Sequence, residues 1–187
     1  MAEKTNIRIG LFGYGRSNAG VLGAMRKRFP ALRLVLRCDA PPSALPEFSD
    51  GIEVEYRCGA EAERNIDEDI LFLSPSVRPD RPALLEAEAR GVTISSDAKM
   101  FFSGLPAFGV SPFSGVRLAV TGSDGKSSVT ALTAAMTGGI ACGNFGRSFS
   151  SVPDGAIAVC ELSSFQLTEP PYEGIRDTEI CETGTLV

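Results

Sequence analysis

The stretch that decides the fold is TGSDGKSSVT, residues 121–130, which directly follows the apolar run VRLAV at 116–120. Its glycines at 122 and 125 let the backbone approach an anion without a Cβ in the way. A helix that starts at this point adds free N–H groups and partial positive charge. Lys126 and Ser127 add an ammonium group for outer phosphates and a hydroxyl for Mg²⁺. The stretch therefore predicts a strand, a phosphate-binding loop and a helix.

The spacing is G-x-x-G-K-S, which is shorter than the common G-x-x-x-x-G-K-[ST], because Val120 stands where the first glycine would fall. The alternative interpretation is a tight glycine turn that begins a helix, with Lys126 merely solvated. The predicted phosphate-binding residues are Gly122, Ser123, Asp124, Gly125, Lys126, Ser127 and Ser128.

Apolar runs alternate with helix-like stretches along the chain, which predicts an α/β fold with parallel strands. The domains expected from this pattern are a Rossmann-like domain at 1–103, a linker at 104–115 and part of a P-loop-type ATP-binding domain at 116–187. No structure is predicted for the last 20 residues. The predicted strands are 7–12, 32–38, 52–56, 69–74, 92–95, 116–121 and 156–162, and the predicted helices are 17–29, 80–91 and 126–136.

A second glycine-rich turn, GYGRS at 13–17, follows the first predicted strand. It fails to complete G-x-G-x-x-G because Asn18 takes the third glycine's place, so a merely tight turn remains an alternative. Asp39 ends the second strand, where a carboxylate meets a nucleoside in Rossmann-like units. The segment SPSVRPD at 74–80 follows the fourth strand and is either another wall of that crevice or a turn that opens the next helix.

Composition excludes several classes of protein. The net charge of −5 argues against a nucleic-acid surface, and no apolar run reaches the roughly 20 residues of a membrane span. No secretion signal is recognisable at the N-terminus, and the five scattered cysteines lack a CxxC pair, so reduced thiols in a cytoplasmic protein are expected. Histidine is absent, which excludes a histidine metal ligand or general base within this sequence.

Three motifs together resemble the Mur ligase family: TGSDGKSS, GNFG at 143–146 and ELSSFQL at 161–167. The last of these is the most specific. The segments GYGRS, RCDAPP, SPSVRPD and GVTISSDAKMFF match in order as well, so the resemblance covers roughly residues 7 to 167. It implies a cytoplasmic enzyme of peptidoglycan synthesis with ATP and Mg²⁺ as cofactors.

The resemblance further implies that D-glutamate is added to UDP-N-acetylmuramoyl-L-alanine through an acyl phosphate. Lys126 and Glu161 would be the catalytic residues, and Ser127 and Glu161 would hold the metal. An exposed strand-end carboxylate is the alternative for Glu161, and a turn residue in the left-handed region is the alternative for Asn144. The residues implied to face the UDP-sugar are Gly15, Arg16, Ser17, Asp39, Ser74 and Asn144.

The sequence departs from the family pattern in two respects. Asp124 stands where the family usually has asparagine. The family also has a third domain and places a histidine and a carbamylated lysine downstream, whereas Lys126 is the last lysine here and little room is left for the loop and strand after the helix. Either the sequence is an incomplete record of a longer enzyme, which is favoured, or it is a shortened relative.

Two other functions remain as alternatives. One is a UDP-sugar-binding or regulatory module without catalysis. The other is a Rossmann-type oxidoreductase that uses the glycines at 10–20, in which the second phosphate loop has no role.

Overall fold

The computed structural model describes residues 7–39, 52–163, 166 and 179–183. The chain divides into two compact units, Met1–Asp97 and Ala98–Val187, each with its own parallel sheet. The predicted α/β class with parallel strands is confirmed. The functional domains expected at 1–103 and 116–187 stay predictions.

The strands and α-helices of the first unit follow one another in the order that its sequence pattern predicts. Continuous apolar runs such as ILFL are buried on both faces of the sheet, which is typical of parallel strands covered by helices. The basic last turn of its first helix, residues 26–28, complements the negative end of the helix dipole. Its elements are β1 (Arg8–Phe12), α1 (Arg16–Arg28), β2 (Arg33–Cys38), β3 (Val54–Cys58), β4 (Ile70–Leu73), α2 (Pro82–Ala89) and β5 (Thr93–Ser96).

The sheet of the first unit has the strand order β3-β2-β1-β4-β5, and every pairing in it is parallel. The chain runs outward from β1 on one side and then returns to the other side with β4. The strand order therefore reverses between β1 and β4. In open parallel sheets, ligands bind outside the carboxyl ends of the strands at such a reversal.

A buried cation lies inside the first unit. The Arg37 side chain on β2 and the Glu68 carboxylate are both 0% exposed, and Nε donates to Oε1 at 2.7 Å. The guanidinium also donates to the carbonyl oxygens of Ala62, Arg64 and Asn65 at 2.8 to 3.0 Å. The charge is tolerated because these four bonds replace its hydration.

One cysteine expectation is wrong. Cys38 and Cys58 form a disulfide, whereas the sequence analysis predicted reduced thiols throughout. The two residues are 20 apart in sequence and form no recognisable motif, but the β2–β3 register places them directly opposite each other. Cys142 and Cys160 are buried and do not form a disulfide, as expected for small core residues. Cys181 lies where the structure describes no side chains.

The second unit contains a four-stranded parallel sheet with the order β7-β8-β6-β9. The predicted strand 116–121 and helix 126–136 are present, and a strand at 140–143 occupies the region where the sequence left little room for one. Its elements are α3 (Asp97–Ser103, whose first residue belongs to the first unit), β6 (Val116–Gly122), α4 (Lys126–Thr137), β7 (Ile140–Gly143), β8 (Ile157–Glu161) and β9 (Glu179–Thr183).

Alternating residues of β8 face two different cores. Ala158 and Cys160 belong to an aromatic-rich cluster, in which the Phe101 and Phe113 rings stack with centroids 4.5 Å apart. Val159 belongs to the other cluster, which contains Ala134 of α4. By the same alternation Glu161 lies on the α4 side of the sheet.

The predicted linker at 104–115 is a folded part of the second unit. Leu105 and Val110 form an antiparallel bridge around the short 3₁₀ turn Pro106–Phe108, and Phe113 is buried in the aromatic cluster. Gly104 has φ +68°, and a Cβ there would meet the Val110 carbonyl at 2.5 Å. Glycine and proline in this segment therefore mark tight turns within a packed structure. No helix in the described part of the chain is long and apolar enough to span a bilayer.

Candidate functional site

The reversal point of the first sheet brings together the turn after β1 and the residue after β4. The Gly13 N–H donates to the Arg37 carbonyl at 2.7 Å, and the Ser74 N–H donates to the Phe12 carbonyl at 2.9 Å. Gly13 has φ +78°, and a Cβ there would lie 2.5 Å from Ser74 Oγ, so both conformation and space require glycine. The predicted residue Ser74 thus lies against the predicted glycine turn.

Asn18 explains why the glycine fingerprint is incomplete. Its side chain is 0% exposed, and Nδ2 donates to the carbonyl oxygens of Gly13 at 2.7 Å, Phe12 at 3.3 Å and Phe72 at 3.4 Å. A glycine at this position would leave those carbonyls without this donor. Asn18, at the position of the third glycine, therefore links the end of β1 to β4 through its side-chain amide.

The start of α1 presents its first residues outward. Gly15 precedes the helix with an extended backbone and no side-chain cap, and Gly15 and Arg16 are exposed while Ser17 is half-buried. The first N–H groups of an uncapped helix lack intrahelical partners and favour an anion. This helix start lies at the same sheet edge as Ser74.

Asp39 follows β2 at that edge and is held by Arg81, a residue that the sequence analysis did not select. Arg81 Nη1 donates to Oδ1 at 2.7 Å and Nη2 donates to Oδ2 at 2.8 Å. These hydrogen bonds lower the pKa of the Asp39 carboxyl below its ordinary value, and the carboxylates of Asp39 and Glu63 raise the pKa of Arg81. The sequence did contain a signal for this contact. Arg81 lies in the connection between β4 and α2, and that connection lies at the same sheet edge as the end of β2.

In the second unit the loop predicted to bind phosphate joins β6 to α4. Gly125 has φ +76° and immediately precedes the helix, and a Cβ there would meet no atom within 4 Å. The space over the helix start is therefore open on that side. Ser123, Asp124, Ser127 and Ser128 are exposed around it.

The Lys126 ammonium group folds back over the loop. Nζ donates to the carbonyl oxygens of Gly122 at 2.8 Å and Ser123 at 3.1 Å. The alternative of a merely solvated lysine does not describe this arrangement. The cation lies at the start of the helix, where a polyphosphate would be attracted by both the ammonium and the free N–H groups.

Glu161 lies at the carboxyl end of β8, opposite Val120 on β6 and Gly143 on β7. It is 5% exposed, and Oε2 accepts no hydrogen bond from the residues that the structure describes. The alternative of an exposed strand-end carboxylate is therefore wrong. A buried carboxylate oxygen without a donor, beside a phosphate loop, fits a divalent cation, since Mg²⁺ prefers oxygen ligands. No group of three or more candidate metal ligands occurs within the described residues.

Asn144 is fixed to the segment that contains Glu161. Its backbone N–H donates to the Glu161 carbonyl at 3.1 Å, and Nδ2 donates to Gln166 Oε1 at 3.2 Å. Gln166 Oε1 also accepts from the Ser163 N–H at 2.8 Å. Among the described residues, only Asn65 is a non-glycine with positive φ, so Asn144 is not the left-handed turn residue of the alternative interpretation.

The predicted site residues thus form two groups, one in each unit. Within the first unit, all of them lie at the carboxyl edge of the sheet, around the ends of β1, β2 and β4. Within the second unit, the phosphate loop, Glu161 and Asn144 lie at the ends of neighbouring strands. The assignment of UDP-sugar, ATP and metal to these residues stays a prediction.

No family model matches the chain. Among curated proteins, it is 30% identical over 175 residues to the UDP-N-acetylmuramoylalanine--D-glutamate ligase of Thermotoga maritima, and the match covers 89% of this chain and 39% of that protein. The ligase of the same name from Burkholderia cenocepacia is 31% identical over 176 residues, with 84% of this chain and 35% of that protein covered. The chain therefore spans less than half the length of these relatives.

Two solved structures are similar at lower identity. They are UDP-N-acetylmuramate-alanine ligase from Thermotoga maritima, with a TM-score of 0.42 and 20% identity over 84% of this chain and 37% of that one, and a murein peptide ligase from Psychrobacter arcticus, with a TM-score of 0.46 and 15% identity over 85% of this chain and 39% of that one.

Proposed function

Because this chain is homologous to Mur ligases over 84 to 89% of its length, we propose that it serves ATP-dependent amide formation in cytoplasmic peptidoglycan synthesis. The finer proposal is that D-glutamate is joined to UDP-N-acetylmuramoyl-L-alanine. Its relatives from Thermotoga maritima and Burkholderia cenocepacia carry the name of that ligase.

The observation that carries the proposal is Oε2 of Glu161, which accepts no hydrogen bond from the described residues and lies at the end of the strand beside the loop at 122–128. Burying a carboxylate without a donor costs free energy, so such a group is retained where something else binds it. A Mg²⁺ ion that accompanies ATP would supply the missing positive charge. Ser127, at the first turn of α4, would offer its hydroxyl to the same ion.

The reaction brings several negative charges together. The γ-phosphoryl group of ATP would pass to the substrate carboxylate, giving an acyl phosphate and ADP, and the amine would then displace inorganic phosphate to form the amide. Lys126 would leave the carbonyl oxygens of Gly122 and Ser123 to meet the outer phosphates. Positioning and charge compensation of this kind are the main protein contributions to phosphoryl transfer.

The first unit would bind the UDP-sugar. The uncapped start of α1 at Gly15, Arg16 and Ser17 suits a diphosphate, and Asp39 and Ser74 offer polar groups at neighbouring strand ends. In the second unit, Asn144 would contact the reacting end of the substrate. A polyphosphate site in one unit and a nucleoside site in the other would suit a reaction with two nucleotide substrates.

Titration calorimetry and a phosphate-release assay on the purified protein test the proposal together. We expect Mg²⁺-dependent ATP binding and phosphate release that requires both UDP-N-acetylmuramoyl-L-alanine and D-glutamate. Glu161→Gln should lose the Mg²⁺ dependence, whereas Glu86→Gln, an exposed carboxylate on α2, should not. Replacing D-glutamate by other amino acids tests the finer proposal.

A UDP-sugar-binding module without catalysis is the second candidate, since the exposed Asp124 carboxylate in the loop at 122–128 would repel a polyphosphate. Binding of both nucleotides without phosphate release would favour it. Absence of ATP binding in the presence of Mg²⁺ would contradict the ligase proposal.

A further inference from the structure

We propose that Arg81 is a positioning residue of the sugar-nucleotide site, which holds the Asp39 carboxylate in the orientation that accepts hydrogen bonds from a nucleoside. The inference rests on the proposed function, because it takes the first unit to be the UDP-sugar unit. Neither the sequence motifs nor the resemblance singled out this arginine.

The contact between the Arg81 and Asp39 side chains is bidentate. Arg81 Nη1 and Nη2 each bind one oxygen of Asp39, at 2.7 and 2.8 Å. The Asp39 side chain is 60% exposed and the Arg81 side chain 24%. The arginine therefore lies on the protein side of the pair and the carboxylate on the open side. Each carboxylate oxygen has a second lone pair, so Asp39 can still accept bonds from a ligand.

Arg81 is itself held in place from three directions. Glu63 Oε1 accepts a bond from Nη1 at 2.8 Å, and the guanidinium carbon lies 5.0 Å from the centre of the Phe12 ring. The Arg81 carbonyl accepts from the N–H groups of Leu84 and Leu85 at the start of α2. Isolated exposed ion pairs contribute little, but bidentate pairs within a network are the exception.

The arginine also connects three chain segments around the reversal point. Phe12 ends β1, Asp39 follows β2, and Arg81 lies between β4 and α2. These are the segments whose ends surround the proposed nucleoside crevice. A single side chain therefore fixes the relative positions of the groups that would meet the ligand.

The positive charge of Arg81 has a second effect on the proposed site. A lone carboxylate near the diphosphate of a sugar nucleotide would repel it. Arg81 offsets the charge of Asp39 while leaving its oxygens as acceptors. This arrangement requires the planar guanidinium of an arginine, which binds both carboxylate oxygens at once. The ammonium group of a lysine is a point charge and cannot bind them in this bidentate way.

The test is titration calorimetry with UDP as the probe on the unaltered protein and on variants. Arg81→Ala should raise the UDP dissociation constant about tenfold, the equivalent of one charge-assisted hydrogen bond. Arg81→Lys should restore less than half of that loss on a logarithmic scale. In the Asp39→Asn background, Arg81→Ala should have no further effect, a coupling that a merely structural role would not produce.

Arg64→Ala is the matched control, because the Arg64 guanidinium also pairs with a carboxylate, but its partner is Glu61 and not Asp39. It should bind UDP like the unaltered protein. Thermal unfolding checks that each variant is folded. If Arg81→Ala has no cooperative transition, the comparison of Arg81→Lys with the unaltered protein decides the question.

The outcomes separate the inference from the function on which it rests. Failure of the unaltered protein to bind UDP would overturn both. UDP binding by the unaltered protein with an Arg81→Ala constant within about twofold of it would overturn the inference alone. Full restoration by lysine would show that charge and not orientation matters, which also overturns it.

Discussion

At the end of β8 the Glu161 carboxylate combines deep burial with an oxygen that accepts no hydrogen bond within the described residues. We expect Glu161→Gln to stabilise the metal-free protein by about 1 kcal/mol, because a neutral amide is less costly to bury. The same variant should lose the stabilisation that Mg²⁺ and ATP give the unaltered protein. Thermal unfolding with and without both ligands measures the two effects. A variant that is still stabilised by Mg²⁺ would contradict the metal assignment.

Asp124 is the one carboxylate inside the phosphate loop, and it is exposed. Two unit charges about 4 Å apart interact by about 1 kcal/mol in water, so a loop carboxylate should repel a polyphosphate measurably. We expect Asp124→Asn to tighten ATP binding about fivefold, as measured by calorimetry at constant Mg²⁺. Unchanged or weaker binding would contradict the repulsion between Asp124 and the polyphosphate.

The Asp39–Arg81 pair makes stability depend on acidity in a defined direction. The Asp39 pKa is lowered in the folded state, so its contribution is present above the ordinary value of 3.8 and is lost as the pH falls through the lowered pKa. Arg81→Ala should therefore lower the unfolding temperature at about pH 6 and have less effect at about pH 3. A difference that grows toward acid pH would contradict this sign.

At the scale of elements, the Cys38–Cys58 disulfide joins the edge strand β3 to β2 across a sequence separation of 20 residues. Closing a loop of this length stabilises by about 3 kcal/mol in the chain-entropy account. Reduction should lower the unfolding temperature of the first unit by roughly 10 to 20 °C. Calorimetry with and without a phosphine reductant measures the shift, and the Cys38→Ser, Cys58→Ser double variant should not respond to the reductant.

Most elements followed from the sequence because their signals are local. The strands at 8–12, 33–38 and 70–73 are built around the short apolar runs IGLF, LVL and ILFL, and the helix at 82–89 has proline in its first turn. The strand EICET at 179–183 was not predicted, because its five residues are mostly polar and lie between stretches without periodicity. The helix at 97–103 was not predicted because it is short. It contains few apolar side chains, such as Phe101 and Phe102, and a glycine follows it directly.

The part of the candidate site that lies within one continuous motif could be predicted from the sequence. The parts that depend on which strands are neighbours in the sheet could not. The loop at 122–128 is continuous in sequence, so its position before a helix could be foreseen. The Asp39–Arg81 pair joins residues 42 apart and depends on which strand ends are neighbours. The burial of Glu161 likewise depends on β6 and β7, which pair with both sides of its strand.

At the scale of the whole molecule, the residues proposed to bind each ligand lie within one unit. The exception is Asn144, which belongs to the second unit and is proposed to contact the UDP-sugar. Hydrogen exchange followed by mass spectrometry should therefore show that UDP protects the amides around 13–18 and 74–77. ATP with Mg²⁺ should protect those at 122–128. Protection of 13–18 by ATP alone, with no effect at 122–128, would contradict the assignment of the two nucleotides to the two units.

The buried guanidinium of Arg37 has a consequence for how the chain is made. Its carboxylate partner follows 31 residues later, and the three carbonyls that it binds lie between 62 and 65. At 5 to 20 residues per second, a ribosome releases Glu68 roughly 2 to 6 s after Arg37. During that interval the nascent β2 carries an uncompensated cation that keeps it hydrated. We therefore expect this strand to dock only after the residues that neutralise its cation have emerged.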